Sequence, residues 1–351
     1  MLSIGVDAHK RLHVAVALDE AGRVVDRWRG PNSADGWQAA YAWAVALGNP
    51  RQWGIEGAWN YGRGLAQCLV AGGDVVYEIN PRWTAACRRQ ARNRAKSDPL
   101  DAQAVALLVW PDGGSLPRVG VEDQTVLLDL LVTERETAQA EAVHLRGHVH
   151  ALLLQIDPEY LNHLPTLTSQ KGVAALLIYE NIDTPLKRER AAAVRRTAQR
   201  LRLALDQVAE LTSRITDLAV AAGLTPLTRL CGINLLTAAA LAGILGPGLR
   251  FTSDADLASY AGAAPLETSS AGAIRHRLNR GGNRRLNAIL HRIVLTQARH
   301  APDGRAYLAR RRTDGKSTRE AFRALKRFLA RRIWHLWREC LACSPLLTAA
   351  M

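Results

Sequence analysis

The sequence holds 351 residues, 48% hydrophobic and 22% charged, ordinary globular proportions that exclude a disordered chain and leave room for two or three domains with a sizeable core. A net charge of +14 and a pI near 10.2 give the molecule a positive field that favours a polyanion as partner. No apolar run reaches the roughly 20 residues that span a bilayer, and the first residues lack a signal-peptide layout, so the sequence predicts a cytoplasmic protein with no membrane partner.

From residue 1 to about 108 the pattern alternates. Strands are predicted at 2–8, 12–18, 23–29, 51–56 and 74–79, and helices at 33–47, 60–72, 81–93 and 98–109. Three consecutive strands followed by alternating helices and strands describe a mixed sheet of the ribonuclease-H type. Asp7 sits inside the first apolar run and Glu56 closes the fourth, which places them on neighbouring central strands. A carboxylate buried in a strand is costly unless a cation offsets it, and a divalent metal is the usual partner. Asp98 and Asp101 lie three apart, so on a helix they share a face.

These four acids together describe a site for two Mg2+ ions. Gly54 and Gly57 are expected to leave room for a ligand close to the backbone. Taken singly, Asp7 reads as a turn cap, Glu56 as an exposed strand end, and Asp98 as the cap of a helix that begins at Pro99. The basic run Arg88, Arg89, Arg92, Arg94 and Lys96 leads into Asp98. Its cations either meet phosphates beside the metals or lie on a solvated helix face.

Pro111, Gly113, Gly114, Pro117 and Gly120 mark residues 111–120 as a linker. Beyond it, 122–156 and 186–222 carry leucines at helical spacing, joined by a proline-bearing connection, 157–185, with one short helix. The pair reads as an antiparallel coiled-coil arm, serving self-association or plain packing. Three domains follow, at 1–112, 121–222 and 223–351. Five scattered cysteines, Cys68, Cys87, Cys231, Cys340 and Cys343, read as reduced, mostly buried thiols, and the spacing of the last two is a weak metal signal without a second pair.

From Leu224 the character changes. Residues 227–241 read as a helix, a glycine turn and a small-residue helix, resembling a helix-hairpin-helix whose turn amides approach a phosphate backbone. Asn234 stands where a second glycine is common. Next comes a small-residue loop with Ser269 and Ser270, followed by Arg275, Arg277, Arg280, Arg284 and Arg285. Cations beside a serine would stabilise the charge that develops when it attacks phosphate, while the bland alternative is a linker whose serines bond the backbone. From Arg275 to Arg338, Lys and Arg outnumber the acids and Tyr307, Phe322, Phe328, Trp334 and Trp337 interleave. Such a surface could follow a nucleic-acid backbone with the aromatics packed beneath it or stacked on bases.

The run from Ile4 through Asp7 to Lys10, then Glu56, then Lys96-Ser97-Asp98-Pro99-Leu100-Asp101, then Ala261–Pro265 with Ser269-Ser270 and Arg280–Arg284, resembles the IS-one-ten family of insertion-sequence transposases. These are the DEDD transposases, relatives of the Piv-type invertases, also described as bridge-RNA recombinases. The likeness runs in order along nearly the whole chain. It implies a RuvC-like N-terminal domain that binds Mg2+ through Asp7, Glu56, Asp98 and Asp101, and a C-terminal transposase domain whose serine becomes covalently joined to DNA. The family serine falls five residues after the proline and usually precedes glycine, which implies Ser270, with Ser269 the alternative because Ala271 replaces that glycine.

The resemblance further implies a structured noncoding bridge RNA that pairs with target and donor double-stranded DNA, and homodimers that assemble into a homotetramer. Two readings from other classes stand beside it. One is a Mg2+-dependent nuclease of the junction-resolvase type that uses water, or a site-specific invertase; the other is a non-catalytic nucleic-acid scaffold.

Overall fold

The computed structural model describes residues 1–90, 97–248, 250–267, 276–277, 279 and 281–344. The chain divides into two compact units, one of Met1–Val126 with Ala222–Met351 and one of Leu127–Ala221. Among the described residues no helix is long and apolar enough to cross a membrane.

The first unit is built on strands β1 (Leu2–Ala8), β2 (Leu12–Leu18), β3 (Val24–Pro31), β4 (Arg51–Glu56) and β5 (Val75–Ile79), with helices α1 (Ala34–Leu47), α2 (Arg63–Ala71), α3 (Pro81–Gln90) and α4 (Asp98–Asp112). The strand order is β3-β2-β1-β4-β5. β1, β2 and β3 run antiparallel, and β4 and β5 run parallel to β1. This fits the ribonuclease-H-type sheet predicted from the sequence. Because both faces are covered, β2 reads as a near-continuous apolar run, while β1 and β4 carry their polar residues Ser3, Asp7, Arg51, Gln52 and Glu56 toward the strand ends.

One face, with Ile4, Val6, Ala15, Ala17, Trp53 and Ile55, packs on Ala40 and Ala44 of α1 and on Leu65, Ala66 and Leu69 of α2. The other meets α4, where Val14, Val16 and Leu18 touch Ala102 and Ala106, and Tyr77 and Ile79 touch Val105 and Val109. On this second face Gly5 and Gly54 stand side by side in register. A Cβ at Gly54 would lie 2.3 Å from Val109 Cγ2, so the absent side chain admits α4. That corrects the expectation of room for a ligand at Gly54.

The linker expected at 111–120 is also corrected. α4 continues to Asp112, and the segment after it lies along the free edge of β5. The Glu78 amide donates to the Pro117 carbonyl at 2.8 Å and the Val119 amide to the Val76 carbonyl at 2.8 Å. Unmet edge donors and acceptors outweigh the loop propensity of the prolines and glycines.

The second unit is made largely of α5 (Gln124–Ile156) and α8 (Pro185–Ala221), with α6 (Tyr160–His163) and α7 (Gln170–Leu177) between them in sequence. α5 and α8 run antiparallel: the Arg135 guanidinium donates to Thr212 Oγ1 at 2.6 Å, and that of Arg190 to the Gln155 carbonyl at 3.2 Å. Leu145 packs with Leu201 and Ala204, and Val149, Leu153 and Ile156 with Ala191, Val194 and Ala198. α7 and Tyr160 complete this core, so the connection holds two short helices.

The rest of the first unit is mostly helical: α9 (Leu235–Leu245), α10 (Asp254–Tyr260), a two-residue ladder of β6 (Leu266–Glu267) and β7 (His276–Arg277), then α11 (Arg284–His300), α12 (Pro302–Thr313) and α13 (Thr318–Cys343). Before α9 stands one 3-10 turn, Thr225–Arg229, in place of the first helix expected of a helix-hairpin-helix. Gly232, at φ 94°, faces α11, where a Cβ would lie 3.2 Å from Thr296 Cβ and 3.3 Å from Ile293 Cα. Asn234 caps α9 by accepting from the Thr237 amide at 2.8 Å, work that a glycine could not do.

Of the C-terminal aromatics, Trp334 and Trp337 are buried and Phe328 is half exposed, so the tryptophans pack beneath the basic surface. Only Cys340 among the cysteines is buried; Cys68 and Cys87 are intermediate, and Cys231 and Cys343 are exposed. The expectation of mostly buried thiols is corrected accordingly, because α13 turns Cys340 and Cys343 to different environments.

Candidate active site

Asp7 and Glu56 are register partners on β1 and β4. Register partners in a parallel pair project to the same face, here the one that carries α4. That helix begins at Asp98 after Ser97, with Pro99 in its first turn, where a fixed φ and a missing N–H fit without cost. Asp98 and Asp101 therefore occupy the first turn, and the close approach of α4 over Gly5 brings that turn to the end of the two strands. Asp7 and Asp101 are buried, whereas Glu56 and Asp98 are half-buried.

The electrostatics centre on Asp7. Burial pushes its carboxyl above the usual range, and the neighbouring charges of Asp101, Glu56 and Asp98 push the same way, opposed by His9. His9 Nε2 lies 3.1 Å from Asp7 Oδ2 and 3.5 Å from Asp98 Oδ1. Asp7, His9 and Asp98 form the one group of His, Cys, Asp or Glu ligand atoms among the described residues that could hold a metal ion. A partly buried set of carboxylate oxygens that disfavour one another's charge suits a hard divalent cation. The acids present fit one.

Two family profiles match the chain in order. The DEDD transposase profile of the IS110 family covers residues 4–158, and the profile of the transposase IS116/IS110/IS902 family covers 224–309. The chain belongs to the IS110 family of transposases. The insertion element IS110 uncharacterized 43.6 kDa protein of Streptomyces coelicolor is 28% identical, over 66% of this chain and 68% of its own length. The protein is thus a DNA transposase, and the stretch that the DEDD profile matches spans Asp7, Glu56, Asp98 and Asp101.

In the second signature of this IS110-family transposase, Ala261–Pro265 folds against residues 281–284. Gly262 and Gly282 meet so closely that a Cβ on Gly282 would lie 2.2 Å from the Gly262 amide nitrogen. Asn283 caps α11 by accepting from the Leu286 amide at 3.0 Å and donates to the Tyr260 hydroxyl at 3.0 Å, while Asn287 Nδ2 donates to the Ala261 carbonyl at 2.8 Å. The same segment touches the N-terminal part of the unit, for Asn80 Nδ2 donates to the Gly281 carbonyl at 3.1 Å. Ser269 and Ser270 fall between β6 and β7 in sequence and lie outside the described residues, as do Arg92, Arg94, Lys96, Arg275 and Arg280. Arg88 and Arg89 belong to α3, Arg277 to β7, and Arg284 and Arg285 to the first turn of α11.

A second connection between the N- and C-terminal parts of this unit is Arg250. Its buried guanidinium pairs with Glu78 of β5 and lies over the rings of Trp59, Phe251 and Tyr260 at 5.9, 5.5 and 5.3 Å. Sequence reasoning passed over both Arg250 and His9. For His9 a signal existed, because two residues beyond Asp7 at a strand end is the same face.

Proposed function

We propose that this transposase cuts and rejoins target and donor double-stranded DNA through a covalent link to Ser270, with Asp7, Glu56, Asp98 and Asp101 holding Mg2+. The gathering of three carboxylates around buried Asp7 supports the reading most directly. Bound there, Mg2+ would supply the positive charge that polarises a scissile phosphate.

The chain's own residues then divide the work. The sheet fixes Asp7 and Glu56, and the first turn of α4 fixes Asp98 and Asp101. Ser270 Oγ gives up its proton and bonds to phosphorus as the bond from phosphorus to a deoxyribose oxygen breaks, and that oxygen takes up a proton. The new phosphodiester retains the bond energy, so the reverse attack by a DNA hydroxyl reseals a strand without ATP. Ser269 is the alternative nucleophile. Arg88, Arg89, Arg92, Arg94 and Lys96, with Arg275, Arg277, Arg280, Arg284 and Arg285, would neutralise backbone phosphates.

The rest of the proposal leans on family resemblance. A structured bridge RNA reads sequence by pairing while the protein holds backbones, and homodimers joined through the arm assemble into a homotetramer. The working divisions would be 1–112 for the acids, 121–222 for the arm and 223–351 for the serine and basic surface, with the protein acting in the cytoplasm at the nucleoid.

A denaturing gel of protein with labelled DNA and guide RNA separates this route from water-mediated nuclease chemistry. The serine route leaves a protein–DNA adduct that Ser270→Ala abolishes while RNA binding persists. Cleavage without any adduct, undiminished in Ser270→Ala and Ser269→Ala, would remove serine from the scheme.

A further inference from the structure

We propose that His9 is a nitrogen ligand of the divalent metal in this centre, which makes the site a mixed nitrogen and oxygen one with a stronger preference for Mn2+ over Mg2+ than four carboxylates would have. The proposal rests on the reading of the acids as metal holders and goes beyond it.

The geometry carries it. Metal–ligand bonds of about 2.1 Å at right angles place neighbouring ligand atoms roughly 3 Å apart. His9 Nε2 stands 3.1 Å from Asp7 Oδ2 and 3.5 Å from Asp98 Oδ1, and the three atoms lie within 4.8 Å of one another. These are the spacings of ligands sharing one ion. Asp7 and His9 are near neighbours in the chain, but Asp98 comes from the start of α4, so its place beside the imidazole is set by tertiary packing and not by local chain geometry.

The turn that carries His9 is held independently of its ring. The His9 amide donates to the Leu12 carbonyl at 3.1 Å, and the Asn32 amide to the Arg11 carbonyl at 3.0 Å. The Asn32 side chain donates to the carbonyls of His9, Lys10 and Tyr61 at 3.4, 3.4 and 3.1 Å, while its own oxygen accepts from Trp37 Nε1 at 2.8 Å. Asn32 is thus a positioning residue: it fixes the backbone from which the imidazole reaches the acids. The His9 side chain is 46% exposed, so replacing it opens no core cavity. Imidazole suits transition ions, whereas Mg2+ keeps to oxygen and water.

The test uses the full chain loaded with Mn2+, read by electron spin-echo modulation for directly bound nitrogen and by calorimetry for Mn2+ and Mg2+ affinity. The expected result is a nitrogen-14 modulation in the wild type that His9→Ala removes, with Mn2+ affinity falling about tenfold or more and Mg2+ affinity falling less. Asn32→Ala should weaken the modulation with the ring still present. Mn2+ binding without nitrogen modulation, or modulation that survives His9→Ala, overturns the ligand while sparing the acids. Mn2+ binding unaltered in both Asp7→Asn and Asp101→Asn would overturn the metal site itself, and the ligand with it.

Discussion

Gly5 lies against the backbone of Ala106, so closely that a Cβ on the glycine would stand 2.1 Å from the Ala106 amide nitrogen and 2.2 Å from the Ala102 carbonyl oxygen. Backbone cannot yield as a flexible side chain can, so any larger residue must push α4 off the sheet. Because that helix carries Asp98 and Asp101, the glycine sets the distance between the two halves of the acid cluster. Gly5→Ala should cost about 1–3 kcal/mol of stability, read by urea denaturation. It should also lower divalent-ion affinity, although no acid has been altered. Wild-type metal affinity in a folded Gly5→Ala protein would dissociate the helix approach from the site.

Asp7 trades stability for the site. Its carboxyl titrates above the ordinary value of 3.8, chiefly through burial, so the folded state holds its proton more tightly than the unfolded one. The stabilising contribution is therefore complete below the ordinary carboxylate pKa and is lost as pH rises through the raised one. Asp7→Asn should raise the melting temperature at neutral pH in chelator and flatten its dependence on mildly acid pH. The same variant should lose recombination by about 100-fold or more, as befits removal of several kcal/mol of charge stabilisation.

Divalent ions should reverse that order. A ligand that binds only the folded chain at a hundredfold excess over its Kd stabilises by about 2.7 kcal/mol. Mg2+ should raise the melting temperature of the wild type and leave that of Asp7→Asn little changed. Chelation should abolish adduct formation, and restored Mg2+ should recover it.

Arg250 is buried against Glu78 and three rings, and removing one member of a buried pair costs about 3–5 kcal/mol. Arg250→Ala should therefore destabilise by at least about 3 kcal/mol in chemical denaturation. Arg250→Lys should recover only part of the loss, because an ammonium has no planar fork with which to meet Glu78 and the Ile244 carbonyl together. A stability change below about 1 kcal/mol in Arg250→Ala would count against the pair as a fastening.

Cysteine accessibility gives an independent check on α13. Burial pushes the Cys340 thiol up to about 11, so at neutral pH it is neither ionised nor within reach. Iodoacetamide on the native protein should label Cys231 and Cys343 and spare Cys340, as resolved by peptide mass mapping. Rapid labelling of Cys340 would place that face of the helix in solvent.

Much of the N-terminal sheet was legible because 2–8 and 12–18 are short, mostly apolar runs with clean boundaries, and the meeting of Asp7 with Glu56 followed from strand order alone. Gly54 was misread because a glycine left open for a ligand and one lying under a helix look the same in one dimension. The segment 113–119 was misread because Pro and Gly mark a departure from regular structure without showing that the chain then pairs with an edge. His9 was passed over because it falls between the strands predicted at 2–8 and 12–18, where a residue's contacts depend on which helix stands above it. The paired motifs around Gly262 and Gly282 were visible as composition, but their mutual contact spans a stretch whose closure no local pattern encodes.

The Pro117–Val119 segment that lines β5, itself fastened through the Arg118 amide to the Arg250 carbonyl at 3.0 Å, has a consequence for anyone dissecting the protein. A fragment cut at Asp112 would bare the backbone amides and carbonyls along the edge of β5, a template on which foreign strands aggregate. Shortening the chain at a boundary suggested by its prolines should yield inclusion bodies, whereas keeping residues through Val119 and supplying 222–351 in trans should restore a soluble particle.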